Sequence, residues 1–426
     1  MKKLTQTLFF FLLVTHINFA QWYLQNSGTL YDLQDITFTD LNNGIAVGWI
    51  GTILKTSDGG INWISQYSGT EWLSAVSFVD VNNGLAVGYD QVNYKSAILR
   101  TTDGGNNWVQ VSIGTDNYLH AVSFIDTNTA IAVGDYGLII KTTNSGFTWV
   151  TQTSGTTVHL HGVSFFNSNI GTVIGGIFNI SLACYEGIIL RTMDGGNNWV
   201  IVYSDTTSDL LDVHLLDIND IVVVGGGDFR GQGIILKSTD GGSNWIKQYS
   251  SEGFEGISFA DANTGTIVGG KYGNESIILR TTNAGNDWIE QSSGTINYLR
   301  GVSFSDDLNG WVVGDDGTIL HTTNGGVSFV DEEQIDAIPT EFSLSNNFPN
   351  PFNPSTKIKY SIPQSSKVVI KVFDILGNEI ETLVNEDKPG GTYEVTWYAE
   401  NLPSGVYFYQ LKAGTYVQTR KMLLLK

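Results

Sequence analysis

The chain is organised around one eight-residue segment, Thr56-Ser57-Asp58-Gly59-Gly60-Ile61-Asn62-Trp63, and six variants of it follow. The variants are Thr101–Trp108, Thr142–Trp149, Thr192–Trp199, Ser238–Trp245, Thr281–Trp288 and Thr322–Phe329. From Trp63 onward, the closing aromatic residues are 45, 41, 50, 46, 43 and 41 residues apart. A period of about 40–50 residues is typical of β-propeller blades. The sequence therefore predicts an all-β fold that contains a seven-bladed propeller.

Each repeat contains four short apolar segments separated by Gly- and Asn-rich turns, the pattern of consecutive β-hairpins. In the second repeat these segments are Ala75–Asp80, Leu85–Gly88, Ala97–Thr101 and Trp108–Val111. The first segment contains a large apolar residue at the same position in every repeat, at Phe38, Phe78, Phe124, Phe165, Leu215, Phe259 and Phe304. Seven first strands and seven turn segments predict seven four-stranded blades.

The N-terminal segment Trp22–Thr29 is similar to Trp63–Thr70, the fourth strand of the first repeat. It has no repeat in front of it, whereas the last repeat ends in a weak fourth strand, Val327–Val330. We expect the N-terminal strand to join or complete blade 7. Such closure would remove the exposed sheet edges that favour aggregation.

The eight-residue unit resembles the Asp-box, the bacterial neuraminidase repeat. The longer pattern includes a first-strand Phe-x-Asp, a second-strand Ala-Val-Gly and a third-strand Ile-Leu-Lys/Arg-Thr-Thr. This pattern resembles the propellers of photosystem II assembly factors and their non-photosynthetic bacterial relatives. The resemblance covers the repeats and implies the propeller fold, but it does not imply an activity.

The acidic position of the box is interpreted as structural. It is occupied by Asp58, Asp103, Asn144, Asp194, Asp240, Asn283 and Asn324. A catalytic carboxylate does not tolerate replacement by Asn, whereas a residue that accepts hydrogen bonds within a turn does. The Asp-x-Asn-Asn-Gly turns, such as Asp40–Gly44, lack the alternating carboxylates and terminal Glu of a calcium loop. We therefore predict neither a catalytic residue nor a metal at these turns.

Both ends of the chain differ from the repeats. Residues 1–20, with Lys2, Lys3 and an apolar run at Leu8–Val14, are typical of a secretory signal peptide. The repeats then fill 21–330, and residues 331–341 form an acidic linker. All seven prolines lie at or after Pro339, which marks a domain boundary.

Residues 342–426 are predicted to form a small immunoglobulin-like β-sandwich. Strand candidates there are Val368–Asp374, Gly391–Trp397, Val406–Lys412 and Thr415–Leu424. The sequence resembles the type A C-terminal sorting domain of the type IX secretion system. The matching segments are Asn350–Pro354, Phe373–Gly377, Gly405–Tyr407 and the basic end Lys421–Lys426. The resemblance implies recognition by the type IX machinery and export through the periplasm, to the outer-membrane surface or the medium. The alternative is an ordinary adhesive sandwich domain.

The charge of the repeats excludes two classes of partner. Residues 21–341 contain 11 Lys and Arg against 35 Asp and Glu, a net charge of −24. Such a surface repels nucleic acid and anionic membranes. After the signal peptide, no segment has the roughly 20 apolar residues that a membrane-spanning helix needs.

A ligand site is expected where the loops leading into the first strands gather around the channel. Ring-bearing side chains are frequent there, at Tyr31, Trp72, Tyr118, His159, Phe254 and Tyr298, and polar residues follow at His120, His161 and Arg300. Exposed rings with polar neighbours suit the stacking of peptides or glycans. The alternative is that these side chains only pack the channel entrance. His120 and His161 come from adjacent blades, but no third ligand is evident, so we predict no metal and no cofactor.

The predicted function is non-enzymatic binding of a protein or glycan outside the cell. The alternative is a secreted glycoside hydrolase, either sialidase-like or glucanase-like. A sialidase needs three converging arginines, whereas Arg100, Arg191 and Arg280 share one repeat position with Lys55, Lys141 and Lys237. Repetition along the scaffold accounts for them, and a pair of glucanase carboxylates is not recognisable from sequence.

Overall fold

The computed structural model of the chain describes residues 22–179, 184–205, 208–226, 233–250, 253–271, 275–326 and 341–426. These residues form two compact units, 22–326 and 341–426. The signal peptide, the weak strand at 327–330 and residues 331–340 of the linker lie outside the described residues and stay predictions. None of the described helices has the length and apolar character needed to cross a membrane.

Residues 22–326 form seven four-stranded antiparallel sheets, the blades. In blades 1 to 6 the strands pair in chain order, as consecutive hairpins. The strands of blades 1 to 3 are Leu33–Phe38, Gly44–Gly48, Thr52–Thr56 and Ile64–Ser68; Glu71–Phe78, Gly84–Asp90, Lys95–Thr101 and Val109–Gln110; and Leu119–Phe124, Ala130–Gly134, Leu138–Thr142 and Val150–Gln152. Those of blades 4 to 6 are Leu160–Phe165, Gly171–Asn179, Cys184–Thr192 and Val200–Asp205; Leu210–Leu215, Asp220–Gly225, Gly233–Thr239 and Ile246–Ser250; and Gly253–Phe259, Gly265–Lys271, Glu275–Thr281 and Ile289–Gln291.

Blade 7 is assembled from both ends of the propeller sequence. It contains Leu299–Phe304, Gly310–Gly314 and Ile319–Thr322, and its fourth strand is the N-terminal Tyr23–Gln25. Two single-turn 3₁₀ helices, Asp135–Gly137 and Asp315–Gly317, follow the second strands of blades 3 and 7.

Trp22 takes the place of the closing Trp in blade 7. Its ring lies 5.9 Å from that of Phe304 in an edge-to-face arrangement, as Trp63 lies 6.0 Å from Phe38 in blade 1. Trp22 is 2% exposed, and its indole Nε1 donates to Gln291 Oε1 at 3.0 Å. The N-terminal strand therefore supplies both the hydrogen bonds and the packing that the seventh repeat needs.

The ring closes where blade 7 meets blade 1. The backbone N–H of Phe38 donates to Ser303 Oγ at 3.1 Å, and the Phe38 ring stacks on Trp311. The second strand of each blade lies between neighbouring sheets, and Gly44–Gly48 and Gly310–Gly314 are buried throughout. Within blade 2, Gly84 is the cross-strand partner of Phe78, and a Cβ on Gly84 would lie 2.4 Å from the ring of Phe78, so glycine leaves room for that ring.

The box turns are held by side-chain hydrogen bonds. Thr56 Oγ1 donates to Asp58 Oδ1 and accepts from the backbone N–H of Gly60, each at 2.9 Å, and Asn62 N–H donates to Asp58 Oδ1 at 2.9 Å. In blade 3, Asn144 Oδ1 accepts from Thr148 N–H at the same distance. The acceptor oxygen is kept when Asn replaces Asp, which supports the structural interpretation of the box.

The C-terminal unit consists of two antiparallel sheets. One contains Ser343–Leu344, Ser355–Ile362 and Gly391–Tyr398, and the other contains Glu379–Lys388, Ser366–Phe373, Gly405–Ala413 and Tyr416–Leu424. Ile358 and Trp397 of the first sheet share one core with Val372, Tyr409 and Leu411 of the second. This arrangement agrees with the predicted small β-sandwich.

Candidate functional site at the channel mouth

Every first strand contains one β-bulge, four residues before the large apolar residue at its end. The bulged residues are Gln34, Ser74, His120, His161, Leu211, Glu255 and Arg300. A β-bulge bends its strand and changes the direction of the side chain. All seven line one cavity of about 490 Å³ that the first strands surround, which we call the mouth. The bulges thus create the site.

At several junctions between blades, two further positions contact the bulged residue or each other. The first position directly follows the glycine that all second strands share. The second position lies six residues before the last residue of the next blade's first strand. In blade 1 this brings Trp49 onto Trp72, with ring centroids 5.1 Å apart and nearly parallel planes. In blade 2, Tyr89 stacks on Tyr118 at 5.5 Å, and the Ser74 hydroxyl donates to Tyr118 Oη at 3.0 Å. This side of the mouth is aromatic.

Imidazoles occupy the junction between blades 3 and 4. His120 Nε2 lies 2.8 Å and His159 Nδ1 lies 2.5 Å from the same oxygen, Asp135 Oδ1. Burial would raise the pKa of Asp135, but the two hydrogen bonds outweigh it and leave that pKa lowered. His161 donates from Nε2 to the Gly176 carbonyl at 3.1 Å. Burial, reinforced by the nearby His120, lowers the pKa of His161 to about 3, so its ring is neutral near pH 7.

Charged groups occupy the junctions on both sides of blade 7. Tyr298 Oη donates to Glu255 Oε1 at 2.8 Å, and Arg300 Nε donates to Asp315 Oδ1 at 2.6 Å. Burial raises the pKa of Glu255, although Arg300 and Tyr298 act in the opposite direction. Asp32 Oδ1 accepts from the backbone N–H of the residue after Asp315 at 3.0 Å. This side of the mouth is polar and rich in carboxylates.

Two further carboxylates, Asp35 and Asp212, lie deeper in the mouth. Each binds the backbone N–H of its own next residue and one N–H of the neighbouring blade, from Val76 and Ile257 respectively, at 2.8–2.9 Å. Burial raises the pKa of Asp35 to about 6 and that of Asp212 to about 7. Both side chains therefore join adjacent blades.

The structure brings most of the predicted ligand residues together. Trp72, Tyr118, His120, His161 and Arg300 line the mouth. His159 contacts Asp135, which in turn contacts the lining residue His120. Tyr298 contacts the lining residue Glu255 directly. None of the seven box residues is among the lining residues.

Two predicted ligand residues do not reach the mouth. Tyr31 is 50% exposed but does not line it. Phe254 is fully buried in the apolar core between blades 5 and 6, so its prediction as an exposed ligand residue is wrong. Phe254 is aligned with Leu33 and Leu73, because it stands five rather than six residues before the end of its first strand. Strand alternation turns that position away from the channel.

Sequence reasoning missed the residues that follow the second-strand glycine, namely Trp49, Tyr89, Asp135 and Asp315. It also missed Asp35 and Asp212, which directly follow a bulge. The signal was available in the alignment of the repeats, because these positions vary from blade to blade next to an unchanging glycine. Residues that form the scaffold recur in every repeat, whereas residues that face a ligand can differ between repeats.

Comparison with known proteins finds a similar family for each of the two parts of the chain. The family model of photosynthesis system II assembly factor YCF48 matches residues 14–181 and 66–215. The model of the secretion system C-terminal sorting domain matches residues 346–425. The chain is thus a β-propeller that resembles the YCF48 family, followed by a secretion-system sorting domain. The predicted fold class and both family resemblances are confirmed.

Solved structures support the fold. YCF48 bound to D1 peptide has a TM-score of 0.56 and 18% identity over 72% of this chain and 96% of that one. YCF48 from Cyanidioschyzon merolae has a TM-score of 0.54 and 20% identity, covering 71% and 98%. The GH74 enzyme of Niastella koreensis has a TM-score of 0.54 and 15% identity, covering 79% and 59%. No curated protein matches the sequence. At these identities the similarity shows the propeller fold and not an activity.

Proposed function

We propose that this chain is an exported, non-enzymatic binding protein whose propeller holds a peptide segment of a partner protein at the mouth. The observation that carries the proposal is the convergence of all seven bulged side chains on one cavity. Six different residue types at the seven equivalent positions give the mouth a distinct chemistry on each side, which a scaffold alone does not need.

The chemistry of the mouth favours a peptide that carries aromatic or apolar side chains and a basic one. Trp72 and Tyr118 offer flat rings on one side, and Glu255 offers a carboxylate on the other. Among the described lining residues, Arg300 is the only permanent cation, and it is paired with Asp315. A basic side chain entering this field gains electrostatic energy, and rings bind on the aromatic side by stacking.

The similarity to a YCF48 structure that holds the D1 peptide supports a peptide rather than a small molecule. A glycan is the other ligand class that stacks on exposed rings. Peptides and glycans are therefore tested in the same experiment.

The proposal is tested by probing peptide and glycan arrays with the purified labelled protein. We expect binding to basic, aromatic peptides that Trp72→Ala and Tyr118→Ala each weaken at least about tenfold, a loss typical of a buried aromatic anchor. Tyr31→Ala is the matched control, because Tyr31 is an exposed ring outside the mouth. Equal loss in all three variants, or binding of glycans alone, would contradict the proposal.

A glycoside hydrolase is a second candidate, favoured by the raised pKa of Asp35 and Asp212 and by the GH74-like fold. General acids in glycosidases have raised pKa values. However, both carboxylates are engaged by backbone N–H groups that join blades. Incubation with β-glucans and sialosides decides between the candidates: we expect no release of reducing ends. Release that Asp212→Asn abolishes would replace the binding proposal.

We further propose that residues 1–20 direct export across the inner membrane and that 342–426 direct type IX secretion, placing the propeller at the outer-membrane surface or in the medium. The match of 346–425 to a sorting domain supports this route. In a host with a type IX system, mass spectrometry should find the propeller outside the cells. A chain truncated after residue 341 should stay in the periplasm. Equal export of both chains would contradict the assignment.

A further inference from the structure

The junction between blades 3 and 4 gathers two imidazoles and one carboxylate. His120 is the bulged residue of blade 3, Asp135 follows the second-strand glycine of the same blade, and His159 lies just before the first strand of blade 4. Their ligand atoms all lie within 4.8 Å of one another. The backbone N–H of Asp135 donates to the Tyr118 carbonyl at 3.0 Å, which fixes the backbone that carries the carboxylate.

We propose that His120, Asp135 and His159 bind a divalent transition-metal ion such as Zn²⁺. Imidazole and carboxylate are ligands that suit Zn²⁺, Ni²⁺ and Cu²⁺. Both imidazole nitrogens point at Asp135 Oδ1, at 2.8 and 2.5 Å. An ion among the three would replace the shared protons and hold each ligand atom at about 2.0–2.2 Å.

The ligands need to move apart only slightly to admit the ion. Four tetrahedral ligand atoms at that distance lie about 3.4 Å from one another, so each nitrogen has to withdraw from Asp135 by less than about 1 Å. The three side chains are 22–26% exposed and lie outside the tightly packed core, so rotation about their side-chain bonds is sufficient. The chain carries a formal net charge of −20, which favours the approach of a cation.

The metal would have one open coordination position, because three protein ligands leave the fourth free. His120 lines the mouth, so the open position is available to a ligand there. A carboxylate or imidazole of a bound partner is the group that would fill it. Metal binding itself does not rest on the proposed peptide function, and its test needs no peptide.

Blade 7 provides an internal comparison. The same three positions hold Arg300, Asp315 and Asp32, and Arg300 pairs with Asp315 at 2.6 Å. Guanidinium does not ligate a metal, so this junction is closed by an ion pair instead. Blade 7 thus shows that this fold accepts Arg at the bulged position beside an Asp. We therefore expect His120→Arg to fold but not to bind the metal.

The test is calorimetric titration of the tag-free, EDTA-treated full-length protein with Zn²⁺. We expect one ion per chain, and an affinity at least about tenfold lower in His120→Arg and His159→Ala, since even changes next to a ligand shell cost that much. Zn²⁺ should also raise the Tm of the unmodified protein but not that of the variants. His161→Gln is the control, because His161 Nε2 is engaged by the Gly176 carbonyl.

Absence of Zn²⁺ binding by the unmodified protein would overturn the proposal and leave a hydrogen-bonded cluster. Binding that survives His159→Ala but is lost in His161→Gln would also overturn it. Circular dichroism of each variant confirms that a lost affinity is not a lost fold.

Discussion

His214 occupies a position at which the other first strands carry Ser or Thr, one residue before the strand ends. Serine there joins neighbouring blades, as Ser164 Oγ accepts from the backbone N–H of Leu215 at 3.4 Å. His214 instead packs its imidazole against Phe259 of the next blade, with ring centroids 5.3 Å apart. Burial lowers the pKa of His214 to about 4. This contact between blades therefore depends on a neutral ring.

We predict that His214→Ser makes the propeller more resistant to acid. In the unfolded chain this imidazole takes up a proton below about pH 6.5, whereas in the folded chain it does so only near pH 4. Acidification from pH 6.5 towards pH 4 thus favours unfolding, by on the order of 1–2 kcal/mol for a partly buried ring. The gain in Tm on substitution should be larger at pH 5 than at pH 8. A difference in Tm that is the same at both pH values would contradict the assignment.

At the scale of the element, the box turn depends more on its threonine than on its aspartate. Thr101 Oγ1 donates to Asp103 Oδ1 and accepts from the backbone N–H of Gly105, both at 2.9 Å. Thr101→Val leaves that N–H without its partner in a buried position, at a cost of about 1–3 kcal/mol. Asp103→Asn keeps the acceptor oxygen, as Asn144 does, and should cost less than about 1 kcal/mol. Urea unfolding measures both, and an equal or reversed order would refute the structural interpretation of the box.

The first strand shows how far the sequence predicts the site. Trp72 and Tyr118 were recognisable because they share one repeat position. Phe254 was misplaced by one residue, since a single step along a strand moves a side chain to the opposite face.

The pairing of His159 with Asp135 was not recognisable, because the two residues belong to different blades and meet only across a junction. The seven bulges also produce no recognisable pattern of apolar residues in the sequence. The apolar repeat therefore predicts the blades, whereas the mouth depends on how neighbouring blades pack.

At the scale of the molecule, the N-terminal strand makes the ring continuous. Trp22 is buried between Phe304 and Gln291, while Leu24, in the strand that directly follows, is 72% exposed. We predict that Trp22→Ala lowers the free energy of unfolding by about 3–5 kcal/mol. Leu24→Ala, the control two residues further along, should change it by no more than about 0.5 kcal/mol. Chemical denaturation that finds similar values for the two would show that closure contributes little to stability.

Repeated and variable positions have different roles in this architecture. The repeated positions form blades, box turns and core, and the seven bulges place different side chains around one mouth. The C-terminal unit is a separate β-sandwich that matches a sorting domain. We infer that the mouth is the binding surface and that the box turns are scaffold.

Hydrogen–deuterium exchange of the purified protein, with and without its best-binding array peptide, shows directly which of these surfaces the peptide covers. We predict that the peptide slows exchange in the first strands around their bulges, above all at 72–76 and 118–122, and leaves the box turns and residues 341–426 unchanged. Protection confined to the box turns or to the C-terminal unit, with unchanged exchange around the mouth, would contradict the account.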